Sequence, residues 1–181
     1  EMERRAAEGE LPAMMELGDR YRTGDGVPMD LDKAIAWYSR PASRGDVNAN
    51  FFIGYILLWR GSEADHRRAR GLLGRALRLC ENDDNRETCN PLQILRYSAV
   101  VERELALYGD ALKSAKRALT LAEAAGDDML VANLHEEMGM AYEQLGLPGE
   151  ALRSYEAARP VYERIEGKDG PAAGNLLLNM G

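Results

Sequence analysis

The residues of this chain that could do chemistry fall into small sets, and each set is incomplete. His135-Glu136-Glu137-Met138-Gly139 opens like a zincin motif, which needs a second histidine one turn on to complete a metal-binding face. Gly139 takes that place, so His135 is expected to be a packing or rim residue. Asp30 and Asp32 offer carboxylates to a cation, but their loop lacks the run of spaced ligands that calcium requires. At a helix start the same acids would cap the helix and favour its dipole. Gly24-Asp25-Gly26 lacks the third glycine and the preceding strand of a dinucleotide site, and no serine is set in a nucleophile elbow. Cys80 and Cys89 flank an acidic, Asn-rich stretch that reads as a loop. Two thiols do not make a disulfide framework, and with His66 and His135 remote in sequence they do not make a zinc site. Two reduced cysteines at helix ends are expected, with no metal, no cofactor and no catalytic residue.

Composition narrows the partners. The chain has 181 residues and a formal net charge of −7, whereas binding to phosphate backbones needs concentrated Lys and Arg. No nucleic-acid partner is expected. The longest apolar run, Phe51 to Trp59, is about half of a membrane-spanning helix, so no membrane insertion is expected. Glu-Met-Glu-Arg-Arg at the start leads into a charged helix-like segment without the apolar stretch of a signal peptide. A cytoplasmic location is the expectation.

The elements that must position these residues repeat along the chain. Gly149-Glu150-Ala151-Leu152-Arg153-Ser154 matches Gly109-Asp110-Ala111-Leu112-Lys113-Ser114 at an offset of 40 residues, and Ala118 and Ala158 stay in register. The segment 175–181 matches 133–139 at an offset of 42, so the chain stops inside a repeat. Nearer the start, Leu17-Gly18 and Tyr21 precede Gly24-Asp25-Gly26-Val27-Pro28, then Asp32-Lys33-Ala34, Trp37-Tyr38, Ala42 and Gly45. A looser copy follows, with Gly54 lying 36 after Gly18 and Ala69 lying 35 after Ala34.

Hydrophobic spacing makes these units helical. Ala69, Leu72, Leu73, Ala76, Leu77 and Cys80 fall at three-and-four spacing opposite Arg67, Arg68, Arg70, Arg75 and Arg78, which gives a helix with a basic outer face. The spacing predicts helices at about 11–24, 31–44, 48–60, 65–80, 91–108, 110–125, 128–146 and 148–166, with a cut helix from about 171. Gly18, Gly54 and Gly139, paired with Ala34, Ala69 and Ala151, are the small residues that close packing of paired helices needs. Pro41 and Pro160 fall inside expected helices, and a kink or an early helix end is expected at each.

Gly139, Tyr142, Ala151, Tyr155 and Ala158 stand at the signature spacing of the tetratricopeptide repeat, and the block from Asn133 resembles one unit of that family. The stretch from Leu17 to Gly45 resembles the Sel-one-like class, a relative with a longer turn between helices. Residues 1–85 are read as about two Sel-one-like repeats, and 86–181 as two tetratricopeptide repeats with a truncated third. The resemblance implies an all-α, right-handed superhelical solenoid of antiparallel helix hairpins, with the first helix of each pair lining a concave groove. It implies a non-catalytic scaffold that binds a protein or peptide. The alternative is a regulatory or sensor domain that gates a catalytic or signalling domain outside this chain; such arrays accompany signalling modules in bacteria. Self-association through the truncated C-terminal repeat is a further expectation.

Carried onto this sequence, the groove positions fall in two sets. Asn48, Phe51, Phe52, Tyr55 and Trp59 make an aromatic set on a helix that is apolar all round, suited to an apolar or amphipathic peptide segment. Asn133, Glu136, Glu137, Met140, Glu143 and Gln144 make an acidic set suited to a basic segment, without the Lys and Asn residues that relatives use to clamp a terminal carboxylate.

Overall fold

Amphipathic segments separated by turns that carry glycine and aspartate fold as their spacing requires. The computed structural model describes residues 1–82, 89–167 and 170. Among the described residues all regular structure is helical: α1 (Met2–Ala7), α2 (Leu11–Thr23), α3 (Leu31–Ser43), α4 (Val47–Arg60), α5 (Glu63–Cys80), α6 (Pro91–Glu104), α7 (Tyr108–Ala125), α8 (Asp128–Gln144) and α9 (Pro148–Glu166). From α2 to α9 the partition expected from sequence agrees to within a few residues, the largest difference being α6, which ends at Glu104; α1 is not in that partition. The cut helix from about 171, and the self-association surface expected there, lie outside the described residues.

The chain divides into two compact units, Glu1–Ile94 and Leu95–Gly181, with the division inside α6. In the first, α1 covers α2, α2 pairs with α3, α3 packs on α4, and α4 pairs with α5. In the second, α7 packs on α8 and α8 pairs with α9. These short-looped antiparallel hairpins are the architecture the resemblance implied.

Three of the hairpins close over a glycine. A Cβ on Gly18 of α2 would lie 2.4 Å from the ring of Tyr38, and one on Gly139 of α8 would lie 2.3 Å from the ring of Tyr155. At Gly54 of α4 the obstruction is the Leu73 side chain at 2.9 Å. Ala34, Ala69 and Ala151 are buried as expected. The side chain that fills the hole over the glycine comes from four residues later, one helical turn on. Tyr38 and Tyr155 are almost wholly inaccessible, and the Tyr38 hydroxyl donates to Asp19 Oδ1 at 2.8 Å while accepting from Arg22 Nε at 3.2 Å.

The turns use local chemistry. Asp30 caps α3 by accepting from the Lys33 backbone N–H at 3.0 Å, the capping role expected of it. Gly126 ends α7 in the left-handed conformation and Asp127 caps α8. The α6–α7 and α8–α9 turns have identical wiring: Leu107 N–H donates to the Glu102 carbonyl and Leu147 N–H to the Tyr142 carbonyl, while Ala106 and Gly146 donate to Arg103 and Glu143. Gly146 meets this turn with φ of 70°, and Ala106 adopts the same left-handed region with φ of 57°. Between the first two hairpins the fastening is a side chain. The fully buried Asn50 amide donates to the Ala42 carbonyl at 3.1 Å and to the Asp46 carbonyl at 2.7 Å, tying the end of α3 to the start of α4.

Of the kink or early end expected at each proline, the early end does not occur: α3 continues to Ser43 beyond Pro41, and α9 to Glu166 beyond Pro160. The buried ring of Pro41 packs at the end of α3, and its carbonyl accepts from the N–H groups of Arg44 and Asp46, so the turn replaces bonds that the helix end cannot make. The cysteines are not reduced thiols. Cys80 and Cys89 form a disulfide with Cα atoms 5.7 Å apart, which closes the segment between α5 and α6. The count of two thiols gave no framework to read, yet the repeat fold brings the end of one helix beside the start of the next.

Two substitutions test this account. Gly139→Ala gains about 1 kcal/mol of helix propensity but places a methyl group inside a ring that has no room to retreat, so urea unfolding should show a net loss of roughly 2 kcal/mol. An unchanged midpoint would mean the ring is not confined. Ala106→Gly relieves a left-handed residue at a cost in unfolded-chain freedom, and a gain of about 0.5–1 kcal/mol is expected. A loss on the same assay would refute the matched-turn argument.

Candidate functional site

The helix α4 carries apolar side chains all round because it is packed from two sides. Ile53, Ile56, Leu57 and Leu58 are buried between its neighbours. The remaining stripe holds the expected aromatic set: Phe51, Phe52 and Tyr55 are half-buried, Asn48 is exposed, and Trp59 is 67% exposed. Four-residue spacing stacks three of the rings into a column along the helix, Phe51 to Tyr55 at 6.3 Å and Tyr55 to Trp59 at 6.1 Å edge-on. Phe52 leans against Phe51 at 5.4 Å and stacks on Tyr38 at 5.4 Å. The Arg22 guanidinium lies 4.6 Å from the centre of the Phe52 ring, a cation–π contact that also fixes the arginine against Asp19 at 2.8 Å.

At the foot of the column is a pocket of about 240 Å³, lined by Asn48, Phe51 and Phe52 of α4 and by Asn90, Gln93 and Ile94 at the start of α6. Three apolar side chains make its floor and three amides its rim. Asn90 is held by capping α6, its Oδ1 accepting from the Gln93 N–H at 3.1 Å. The α6 residues of this pocket were not expected from sequence. Asn90-Pro91 does carry a helix-start signal, and that signal would have placed the first turn of α6 beside the start of α4 had the repeat register been followed across the longer loop.

The acidic set on α8 is committed to its own unit. The Tyr162 hydroxyl lies 2.8 Å from both Glu136 Oε2 and Asn133 Oδ1. Arg103 Nε donates to Glu137 Oε2 at 2.8 Å, and the Tyr108 hydroxyl reaches Gln144 Oε1 at 3.4 Å. Met140 packs against the cluster of Ala132, Ala151, Tyr155, Ala158 and Tyr162, leaving Glu143 exposed. Of the three carboxylates in this set, Glu136 and Glu137 therefore help to hold helices together. His135 is half-buried on the same helix, and burial lowers its pKa against an opposing pull from Glu123. His66 is buried with Nε2 3.1 Å from the Leu58 carbonyl. On α5, Arg67, Arg68, Arg70, Arg75 and Arg78 are exposed opposite buried Ala69, Leu73, Ala76 and Cys80, the outer face expected of them. Among the described residues no three His, Cys, Asp or Glu side chains gather to hold a metal ion, and no helix is long and apolar enough to cross a membrane.

Residues 11–46 and 47–79 each match the Sel1 repeat, and residues 90–164 match the tetratricopeptide repeat. The chain is a mixed Sel1 and tetratricopeptide repeat protein. No curated relative matches its sequence. Among solved structures, the apo form of RapI is similar with a TM-score of 0.72 and 16% identity, over 94% of this chain and 61% of that one. BtubC from P. vanneervenii is similar with a TM-score of 0.60 and 19% identity, over 99% of this chain and 64% of that one. At such identities the likeness shows the fold alone, and the repeat chain spans less than two thirds of either structure. The pocket takes one wall from the second Sel1 repeat and the other from the start of the tetratricopeptide segment.

Tyr38, on which the aromatic floor rests, gives a pH test. Burial, opposed by the Arg22 hydrogen bond and supported by that of Asp19, raises its pKa well above the ordinary tyrosine value of about 10. The neutral form is thus favoured by folding, so this stabilisation is complete below pH 10 and is lost as pH rises and the unfolded chain ionises first. Tyr38→Phe should flatten the alkaline limb of a stability-against-pH curve measured by urea unfolding. An unaltered limb would place the dependence elsewhere.

Proposed function

We propose that this chain is a non-catalytic interaction module that holds an apolar or amphipathic peptide segment of a protein partner along the aromatic face of α4. The carrying observation is the column Phe51–Tyr55–Trp59 ending at an amide-rimmed pocket, with Trp59 two-thirds exposed. An exposed indole next to half-buried rings gives rigid contact area with little side-chain entropy to lose, and Trp and Tyr dominate hot spots for that reason. The pocket has the size for one apolar side chain, and its amides are neutral donors and acceptors suited to a peptide backbone. None of the six lining side chains is a nucleophile or a general base, which fits binding rather than turnover. The α8 face, with Glu136 and Glu137 committed internally, is the weaker place for a partner. A cytoplasmic address was expected of the sequence; the disulfide weighs toward an oxidising compartment instead.

Displayed peptide libraries selected on the intact chain test the reading. Enriched peptides should carry apolar residues at helical spacing, and Trp59→Ala or Tyr55→Ala should weaken them by about 2 kcal/mol each, roughly thirtyfold, without loss of helical circular dichroism. Full retention of binding by both variants would overturn the assignment to α4.

A further inference from the structure

The two walls of the pocket are held very differently. Asn48, Phe51 and Phe52 belong to the middle and start of α4, a helix packed by α3 on one side and α5 on the other. Asn90, Gln93 and Ile94 belong to the first turn of α6 and the residue that caps it. A first turn is the weakest part of a helix, because its N–H groups have no intrahelical acceptors. An apolar side chain and a covalent bond tie it to the other helices of the first unit. Ile94 is 2% exposed and clusters with Val47, Ala76 and Cys80, while Phe51 and Cys89 pack on the same cluster. The covalent bond is the Cys80–Cys89 disulfide, which runs from the last residue of α5 to the residue directly before Asn90. The bridge therefore shares its packing with both walls and is joined directly to the one from α6.

We propose that the Cys80–Cys89 bridge is a redox latch on the pocket: the oxidised chain presents the six-residue binding cavity, and reduction by a dithiol releases the α6 wall and weakens binding. Its functional meaning rests on the α4 reading above. The reaction balances as thiol–disulfide exchange. Cys89 is half-buried whereas Cys80 is 2% exposed, so the reductant's thiolate attacks Cys89 Sγ, and the electron pair of the S–S bond leaves on Cys80 Sγ, which takes up a proton. The second thiol of the reductant then attacks the sulfur of the first, Cys89 departs as a thiolate and is protonated, and the reductant leaves as a cyclic disulfide. The protein gains two electrons and two protons in all.

Hydrogen exchange read by mass spectrometry on the intact chain, with and without dithiothreitol, tests the latch directly. Reduction should raise exchange in the peptide spanning 89–97 by about tenfold or more while the core of α4, Ile53 to Leu58, stays protected. The apolar dye anilinonaphthalene sulfonate serves as the pocket probe, assigned there by loss of its fluorescence in Phe51→Ala. Its affinity should fall at least about fivefold on reduction and recover on reoxidation. The Cys80→Ala/Cys89→Ala double variant should behave as the reduced chain and ignore dithiothreitol. Unchanged exchange at 89–97, equal dye affinity in both states, or loss of protection throughout α4 would each overturn the proposal, the last by making the bridge a staple for the whole unit. A dye that binds neither state, with exchange at 89–97 still redox-dependent, would count against the α4 site and leave the latch standing.

Discussion

The structure depends on how closely two paired helices can approach, and one missing carbon sets that distance. Where Gly18 and Gly139 face Tyr38 and Tyr155, the ring lies over bare backbone, and a Cβ at 2.3–2.4 Å would occupy the same space. Everything else in a hairpin follows from that contact. The ring is buried in both, and in the first hairpin the polar side chains of α2 organise around the Tyr38 hydroxyl. In the first unit this chain of contacts runs from Gly18 through Tyr38 to Asp19 and Arg22, then to Phe52. The floor of the candidate site is thus connected by direct contact to the packing that makes the repeat.

The same dependence explains why the two candidate faces differ. On α4 the hairpin contact is between Gly54 and Leu73, an aliphatic side chain with no hydroxyl to satisfy. The stripe of α4 outside the core is left with aromatic residues, and the helix carries no carboxylate. On α8, a second tyrosine, Tyr162, reaches back to Asn133 and Glu136, and Arg103 claims Glu137. Buried and half-buried polar groups must be paired, so the acidic residues go to structure before they can go to a ligand.

The hairpins were legible in the sequence because their determinants are local and periodic. Gly149 to Ser154 against Gly109 to Ser114 states the second helix of a pair twice, and the chain repeats even the turn wiring before each. The aromatic stripe was legible for the same reason, since Phe51, Tyr55 and Trp59 stand one turn apart. Asn90, Gln93 and Ile94 were not, because the pocket they complete depends on where the chain returns after a loop whose length follows no repeat. The disulfide was missed for a related reason. Its two residues are separated by nine positions in sequence, and only the arrangement of α5 and α6 makes them neighbours. The ionic commitments of α8 require knowing which residues face one another across helices, and spacing along one helix carries no such information.

Asn50 has a consequence for how such a chain can change length over evolution. Its buried amide donates to carbonyls on both sides of the junction between the first two hairpins. An inserted residue between Ser43 and Asp46 would move one acceptor away and leave a buried donor unsatisfied, a loss of the order of 1–3 kcal/mol. The turn from Gly24 to Met29 is mostly exposed and is spanned by a single backbone bond from Asp30 to Tyr21, with no buried side chain measuring the gap. Length variation in this part of the chain should accordingly collect in the α2–α3 turn and be purged between Ser43 and Asp46. The spacing from the first hairpin to the second is thereby measured by a buried amide, while the tip of the first is free to diverge.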